Sequence, residues 1–420
     1  MKRILTLVFF LLTLTVALTA CKLDAGVHTC EWGEWVVSRE ATCEEEGREV
    51  RTCKIDNTHT EKREISPLGH KFPSEWEIGV GTHWRVCQRE DCEEKEAFNH
   101  ESDSPATTES PEICRDCGYE MNPIKHQLDG KRIIFIGDSF VYFGNTVIEK
   151  AQSVQEQSKR ENDNGYFYQI CKANGANVSV TNWTYGGHGL STHLQENCTH
   201  REGCNGTCHI EDLTERYYDI VVLSGGRGSG YKKETFIGEI ETYIDIFKSV
   251  NPNVKFVYLV SSGAHNVSVA ESFPKEVLNS LKLIEDEYDF TIVDWGKIVR
   301  DVIDGVAKVE GATNLFTKTS FTIAKTKDDG YHPSPLAGYI TSLMTYCALT
   351  GESAVGKSYD FCSNEYLNSK FNFKKYVSSY YKVDTTNFPE IFNSPSDMLG
   401  IQKLIDQYLE EKAYRNYNFE

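Results

Sequence analysis

The sequence predicts an α/β protein with a parallel sheet covered by helices on both faces, preceded by a small module rich in cysteine and histidine. From residue 131 onward, short β-branched or aromatic runs alternate with longer helical patterns, which is typical of a parallel sheet. Between residues 21 and 122, apolar runs are few and cysteines are frequent. We therefore divide the chain into residues 1–20, 21–122 and 123–420.

The composition sets limits on the class of protein. The chain has 420 residues, of which 40% are hydrophobic and 12% aromatic, enough to build a packed core. Global disorder and collagen-like structure are excluded on this basis. The formal net charge of −18 would be repelled by phosphate backbones, so no nucleic-acid partner is expected.

The first 20 residues have the pattern of an export signal. Lys2 and Arg3 precede an almost wholly apolar run at 4–17, which is shorter than the roughly 20 residues that span a bilayer. Residues 18–21, Leu-Thr-Ala-Cys, resemble the lipobox of bacterial lipoproteins, and an ordinary signal peptide cut nearby is the alternative. The resemblance implies cleavage before Cys21, lipidation of its sulfur, and an extracytoplasmic protein anchored by lipid to the bacterial cell membrane.

The larger region contains five strand-like runs separated by helical patterns. The strand-like runs are residues 132–136, 177–183, 219–223, 254–260 and 290–293. The helical patterns are residues 146–159, 232–250, 274–288, 336–349 and 395–412. Parallel sheets bind ligands beyond the carboxyl ends of their strands, so motifs directly after these runs are candidates for a functional site.

The first predicted strand runs directly into Gly137, Asp138 and Ser139. A serine on a tight turn after a central strand directs its hydroxyl into the crevice of the sheet. The amides at the start of the following helix can stabilise developing negative charge. The alternative is that the Asp and Ser serve only as a helix N-cap.

A second motif, residues 328–334, reads Asp-Asp-Gly-Tyr-His-Pro-Ser. Serine hydrolysis needs a base that takes the hydroxyl proton and a carboxylate that orients the base. Asp329 could hold one ring nitrogen of His332 while the other nitrogen faces Ser139. A solvent-exposed Asp-Gly turn is the alternative.

Together the two motifs resemble those of the SGNH, or GDSL-like, serine hydrolases, over about residues 131–351. The resemblance implies a flavodoxin-like three-layer sandwich, with Ser139 as nucleophile, His332 as general base, Asp329 as its orienting carboxylate and no cofactor for catalysis. SGNH relatives commonly remove acyl groups from polysaccharides, so an acylated glycan or small molecule is the expected substrate. A surface binding protein with a weakened hydrolase domain is the alternative function.

Two further segments bear on the oxyanion hole that the resemblance implies. Gly187, after the second predicted strand, is expected to donate its backbone amide. After the third strand the family carries Gly-x-Asn-Asp, whereas residues 224–227 here read Ser-Gly-Gly-Arg. Losing one such donor typically costs about 100- to 1000-fold in rate. His188 and His193 are interpreted as ordinary loop histidines.

The cysteines of the first module suggest metal ligands. Cys87 and Cys92, with Cys114 and Cys117, resemble the paired knuckles of a zinc ribbon and predict one structural zinc site, for which His83 and His100 are substitute ligands. Disulfides remain open as the alternative, since exported proteins favour them.

Two other sets of residues are less specific. The first set, a potential Cys3His site or a disulfide with a free thiol, is Cys30, Cys43, Cys53 and His70. The second set, a metal cluster or a local disulfide within the larger region, is Cys198, His200, Cys204, Cys208 and His209. Cys347 is expected in the core.

Overall fold

The computed structural model describes residues 28–142, 144, 146–147, 165–184, 188–194, 217–225, 232–261, 275–324, 330–362 and 394–415. The chain divides into two compact units, residues 1–124 and 125–420, which are described separately. Within the described ranges, no helix combines the length and apolar character needed to cross a membrane. The export signal and Cys21 lie outside these ranges.

The first unit consists of small antiparallel sheets. The strands of the first sheet are β1 (Val36–Arg39), β2 (Gly47–Thr52) and β3 (Thr60–Ile65), and those of the second are β4 (Glu77–Ile78), β5 (Thr82–Val86) and β6 (Lys95–Asn99). A hairpin of β7 (Glu112–Ile113) and β8 (Glu120–Asn122) follows. These strands were not anticipated from the sequence, because they are short and strands such as β3 and β6 carry many charged residues without apolar alternation.

The second unit contains a five-stranded parallel sheet, as predicted. Its strands are β9 (Arg132–Gly137), β10 (Ser179–Thr184), β11 (Ile220–Ser224), β12 (Lys255–Val260) and β13 (Phe290–Asp294). The spatial order is β10-β9-β11-β12-β13, and every neighbouring pair is parallel. This is the flavodoxin-like order, in which the direction of winding reverses between the first and third strands, here β9 and β11.

Helices cover both faces of this sheet. In the described ranges they are α1 (Ser139–Tyr142), α2 (Tyr166–Ala173), α3 (Leu190–His193), α4 (Lys233–Val250), α5 (Lys275–Tyr288), α6 (Trp295–Ile303), α7 (Lys318–Phe321), α8 (Pro335–Thr350) and α9 (Pro395–Glu410). Ile133 and Phe135 of β9 belong to the core shared with α2, α6, α8 and α9. Ile134 and Ile136 belong to the core shared with α4 and α5. The strand therefore buries alternate side chains on opposite faces, and the three-layer sandwich is confirmed.

Helices α4, α5, α8 and α9 lie close to their predicted positions. Most of the predicted helix at 146–159 falls outside the described residues. Helices α2 and α6 were not anticipated. Helix α6 follows β13 without a loop, because the Asp294 side chain accepts a hydrogen bond from the Lys297 amide and caps the new helix directly.

Candidate active site and metal-ligand groups

Ser139 begins α1 at the carboxyl end of β9. The Asp138 carboxylate accepts a hydrogen bond from the Phe140 amide at 3.0 Å, which satisfies a free N–H at the start of the helix. A Cβ on Gly137 would lie 2.7 Å from the Ser224 carbonyl oxygen, so only glycine lets β9 end this close to β11. Ser139 therefore lies at the point where the strand order reverses, the usual ligand position of such sheets.

His332 lies on a short hairpin formed by β14 (Thr322–Ala324) and β15 (Gly330–Pro333), where it pairs with Ile323. Helix α8 begins directly afterwards. The Ser334 hydroxyl donates to the Ser320 carbonyl at 2.7 Å and accepts from the Ala337 amide at 3.4 Å, capping α8. The Pro-Ser that follows the histidine thus has a structural role, because it fixes the hairpin against the start of the helix.

A close backbone approach brings these two regions together. A Cβ on Gly338 of α8 would clash with the carbonyl group of Gly144, so any larger residue at 338 would force the segments apart. The Thr146 hydroxyl donates to the Gly338 carbonyl at 3.3 Å. Helix α8, which follows His332, therefore packs against the segment that follows Ser139.

The result is a direct contact between the two predicted catalytic side chains. His332 Nε2 lies 2.9 Å from Ser139 Oγ, although 193 positions separate them in sequence. Ser139 is 7% exposed, and the Phe140 ring lies 5.4 Å from the imidazole. A hydroxyl hydrogen-bonded to an imidazole is the arrangement that general-base catalysis requires of a serine nucleophile.

The remaining predicted members of the site are outside the described residues. Asp329 and Gly187 both fall there, so the orienting carboxylate and the oxyanion amide stay predictions. Ser224, at the end of β11, is 2% exposed and lies against Gly137. Position 224 therefore has a packing role in the described part of the site.

His193 differs from its interpretation as a loop histidine. It ends α3, is 4% exposed, and its Nε2 donates to the Gly137 carbonyl at 2.9 Å. This contact holds the backbone two residues before Ser139. The sequence signal that was available is Gly189, the N-cap of α3, because the four-residue helix that begins there ends at His193, whose ring contacts the end of β9.

Three groups of four Cys and His side chains lie in the first unit, each with its ligand atoms within 4.8 Å of one another. Group 1 is His28, Cys30, Cys53 and His59; group 2 is Cys43, His70, Cys87 and Cys92; group 3 is His83, His100, Cys114 and Cys117. The grouping of Cys87, Cys92, Cys114 and Cys117 as one site is therefore wrong. The two cysteine pairs lie in the turns of different sheets, between β5 and β6 and between β7 and β8.

The predicted set of Cys30, Cys43, Cys53 and His70 is divided in the same way. Cys30 and Cys53 belong to group 1, whereas Cys43 and His70 belong to group 2. His83 and His100, expected only as substitutes, are full members of group 3. The cluster at 198–209 lies outside the described residues.

One thiol in each group has a pKa lowered to about 6, namely Cys53, Cys87 and Cys114, whereas the pKa of Cys43 in group 2 and that of Cys117 in group 3 are raised, chiefly by burial. Burial acts to raise the pKa of Cys87, but hydrogen bonds from the backbone amides of Lys71 and Arg89, and one with His70, lower it overall to about 6. The thiolate is the form that binds metal. In the second unit, burial raises the pKa of Cys347, which lies in the core as expected.

No family model matches the chain, and no curated protein matches it. Among solved structures, a protein described as a GDSL-like lipase from Parabacteroides merdae is 16% identical, with 54% of this chain and 99% of that chain covered and a TM-score of 0.36. An acetylxylan esterase from Geobacillus stearothermophilus is 14% identical, with 54% and 96% covered and a TM-score of 0.36. A carbohydrate esterase family 2 enzyme with a carbohydrate-binding domain, from Corynascus thermopiles, is 14% identical, with 62% and 72% covered and a TM-score of 0.33. At these identities and TM-scores, the likeness carries no inference about activity or substrate.

Proposed function

We propose that this chain is a serine esterase that removes acyl groups from carbohydrate or cell-wall polymer, held at the outer face of the bacterial membrane by a lipid on Cys21. The observation that supports the chemistry best is the 2.9 Å contact between Ser139 Oγ and His332 Nε2. It occurs at the strand-order reversal of a parallel sheet, where two motifs far apart in sequence meet.

The reaction follows from this contact. His332 Nε2 accepts the Ser139 proton while Oγ attacks the ester carbonyl carbon, giving a tetrahedral oxyanion. The imidazolium then donates that proton to the departing sugar oxygen, and the carbon–oxygen ester bond breaks. A water molecule, deprotonated by the same imidazole, releases the acyl group as the acid and regenerates Ser139. Asp329 is the proposed carboxylate that keeps the imidazole in the required tautomer.

The proposed oxyanion donors are the backbone amides of Ser139 and Gly187. Residues 224–227, Ser-Gly-Gly-Arg, contain no asparagine where the family carries one after the third strand, and Ser224 is buried against Gly137. We therefore expect slower acyl transfer than in an otherwise equal site with a third donor.

The substrate class rests on the predicted location and on charge. An anchored enzyme outside the cell meets wall polymer and imported glycans first. The net charge of −18 opposes polyanionic polymers, so an uncharged acylated glycan is the better partner.

The test is hydrolysis of p-nitrophenyl acetate and of acetylated xylan by the purified chain. Ser139→Ala should abolish both activities, while Ser191→Ala, at an exposed serine on α3, should leave them unchanged. Equal activity in Ser139→Ala and the unmodified protein would remove the nucleophile assignment. Anchoring is tested separately by the mass of the N-terminal peptide of protein recovered from membranes, which should begin at a diacylglyceryl-modified Cys21.

A surface binding protein with an inactive hydrolase unit is the second candidate, favoured by the missing asparagine. Exposed tryptophan rings could bind sugar rings and so support a binding function. In the first unit, however, cationic side chains already lie over tryptophan rings. Arg51 lies 4.6 Å from the Trp35 centroid, and Lys95 lies 4.1 Å from that of Trp84. Glycan binding without turnover by the unmodified protein would favour this candidate over the esterase.

A further inference from the structure

The Cys and His side chains of the first unit form three complete groups with none left over. Residues 28–124, all of which the structure describes, contain seven cysteines and five histidines. Every one of these twelve residues belongs to group 1, group 2 or group 3. A chance distribution of reactive side chains would leave some of them outside such groups.

These residues also form the interior of the unit. Within residues 28–124, the buried side chains are Cys43, Cys53, His83, Cys87, Ala106 and Cys114. Large apolar side chains such as Val36 and Phe98 are 65% and 52% exposed. A unit of this length cannot be held together by apolar burial when its buried side chains are almost all potential ligands.

Seven of the distances between ligand atoms match those of a tetrahedral zinc site, and all the ligand atoms of a group lie within 4.8 Å of one another. Zn–S bonds of about 2.3 Å and Zn–N bonds of about 2.0–2.1 Å place sulfurs about 3.8 Å apart, sulfur and nitrogen about 3.5 Å apart, and nitrogens about 3.4 Å apart. The Cys43 and Cys87 sulfurs are 3.8 Å apart. Five sulfur–nitrogen separations within the groups are 3.4, 3.5, 3.4, 3.7 and 3.4 Å. His83 Nδ1 and His100 Nδ1 are 3.3 Å apart.

The same distances argue against a disulfide in group 2. A disulfide would bring two sulfurs to about 2.05 Å. The Cys43 and Cys87 sulfurs are well beyond that separation, yet they lie in one group with the His70 Nδ1 atom and the Cys92 sulfur. The spacing is that of two thiolates sharing one ion.

The surroundings orient the ligands as metal sites require. His100 Nε2 donates to the Gly79 carbonyl at 2.8 Å, which leaves Nδ1 to face group 3. His70 Nε2 lies 3.4 Å from a Glu44 carboxylate oxygen, which leaves its Nδ1 to face group 2. The Lys71 amide donates to the Cys87 sulfur at 3.3 Å. Such outer contacts fix the tautomer and orientation of metal-binding side chains.

The groups also connect successive sheets. Group 2 takes Cys43 from the β1–β2 connection and His70 from after β3, and joins them to Cys87 and Cys92 of the β5–β6 turn. Group 3 takes His83 from β5 and His100 from after β6. It joins them to the cysteines of the β7–β8 turn. An ion in group 2 and an ion in group 3 would therefore each link one sheet to the next.

We propose that the first unit binds three zinc ions, one in each group, and that the ions of groups 2 and 3 hold its consecutive sheets together. Mixed thiolate and imidazole ligands in tetrahedral array select zinc among the common divalent ions. Four protein ligands leave no open position, so each ion has a structural role and no catalytic one.

The first test is zinc analysis of the full chain exported by its natural route. Cys87→Ser with Cys92→Ser should remove one zinc per chain, and Cys114→Ser with Cys117→Ser should remove another. The four changes together should remove two. Cys347→Ala, at a buried thiol of the second unit, is the matched control and should remove none. Loss of only one zinc from the variant with all four changes would mean that the four cysteines bind a single ion together. That result would contradict the proposal of separate ions in groups 2 and 3.

The second test uses the unmodified protein, so it does not depend on the folding of variants. All seven cysteines of residues 28–124 should resist alkylation until a chelator is added, and each should then gain one alkyl group by peptide mass spectrometry. Cysteines that react only after a reductant, with no chelator effect, would establish disulfides. Cysteines that react immediately in protein without zinc would show that the groups bind no metal.

Discussion

The two units build their interiors from different chemistry. The sheet of the second unit buries continuous apolar strands such as β9, whose residues 133–136 are each 0% exposed. The first unit buries Cys and His side chains and leaves its Val, Ile and Phe side chains largely in water. Apolar burial accumulates with every residue in contact, whereas a metal site concentrates its stabilisation in four residues. Different treatments should therefore unfold the two units.

The largest expected effect is removal of metal. Structural zinc contributes on the order of 10 kcal/mol of folding free energy, so a chelator should unfold residues 28–124 and leave the second unit folded. Hydrogen exchange by mass spectrometry should show lost protection in peptides of β1 to β8 and retained protection in peptides of β9 to β13. If zinc is verified to be lost and both units keep their protection from exchange, the first unit does not depend on metal for its folding.

The next largest effect concerns catalysis. His332→Ala should lower kcat by about 10⁶-fold, because residues that act as one nucleophilic unit each cost nearly the full effect when removed. The Ser139 hydroxyl remains, so free imidazole should restore part of the rate by entering the vacated space. A loss of less than about tenfold, in a variant with unchanged circular dichroism, would mean that His332 is not the base.

A matched pair of apolar substitutions sharpens the contrast in stability. Ile134→Ala, at a fully buried position of β9, should lower the free energy of unfolding of the second unit by about 2–5 kcal/mol. Ile78→Ala, at a 49% exposed position of β4, should change the first unit by less than about 0.5 kcal/mol. Denaturant unfolding followed by hydrogen exchange reports each unit separately. A large effect of Ile78→Ala would indicate an apolar core in the first unit.

The sequence predicted the structure best where buried strands leave a continuous run of apolar residues. The five sheet strands were predicted because β-branched and aromatic residues occupy successive positions, and Ser139 and His332 were predicted because each lies in a short motif. Pairing of the metal ligands was not predictable, because the groups overlap in sequence. His83 of group 3 precedes Cys87 of group 2, so spacing along the chain assigns neighbours to the wrong ion. Only the fold of the small sheets separates them.

The role of His193 was missed for a similar reason, since its contact with Gly137 joins residues 56 positions apart. His193→Phe would leave a buried carbonyl without its donor, which costs about 1–3 kcal/mol, and should lower kcat about tenfold with little change in KM. His193→Gln retains an Nε2 donor and should recover most of the rate. Equal rates in the two variants would mean that the hydrogen bond to Gly137 does not affect catalysis and that His193 serves only in packing.

The most direct test of the proposed activity is covalent labelling of the nucleophile. A fluorophosphonate reacts by attack of an activated serine oxygen on phosphorus with loss of fluoride, and the adduct identifies that serine. Our account predicts a single adduct on the peptide that contains Ser139, greatly slowed in the folded His332→Ala variant, because the proton acceptor 2.9 Å from Oγ is then missing. An adduct on another serine, or none on a folded protein, would contradict it.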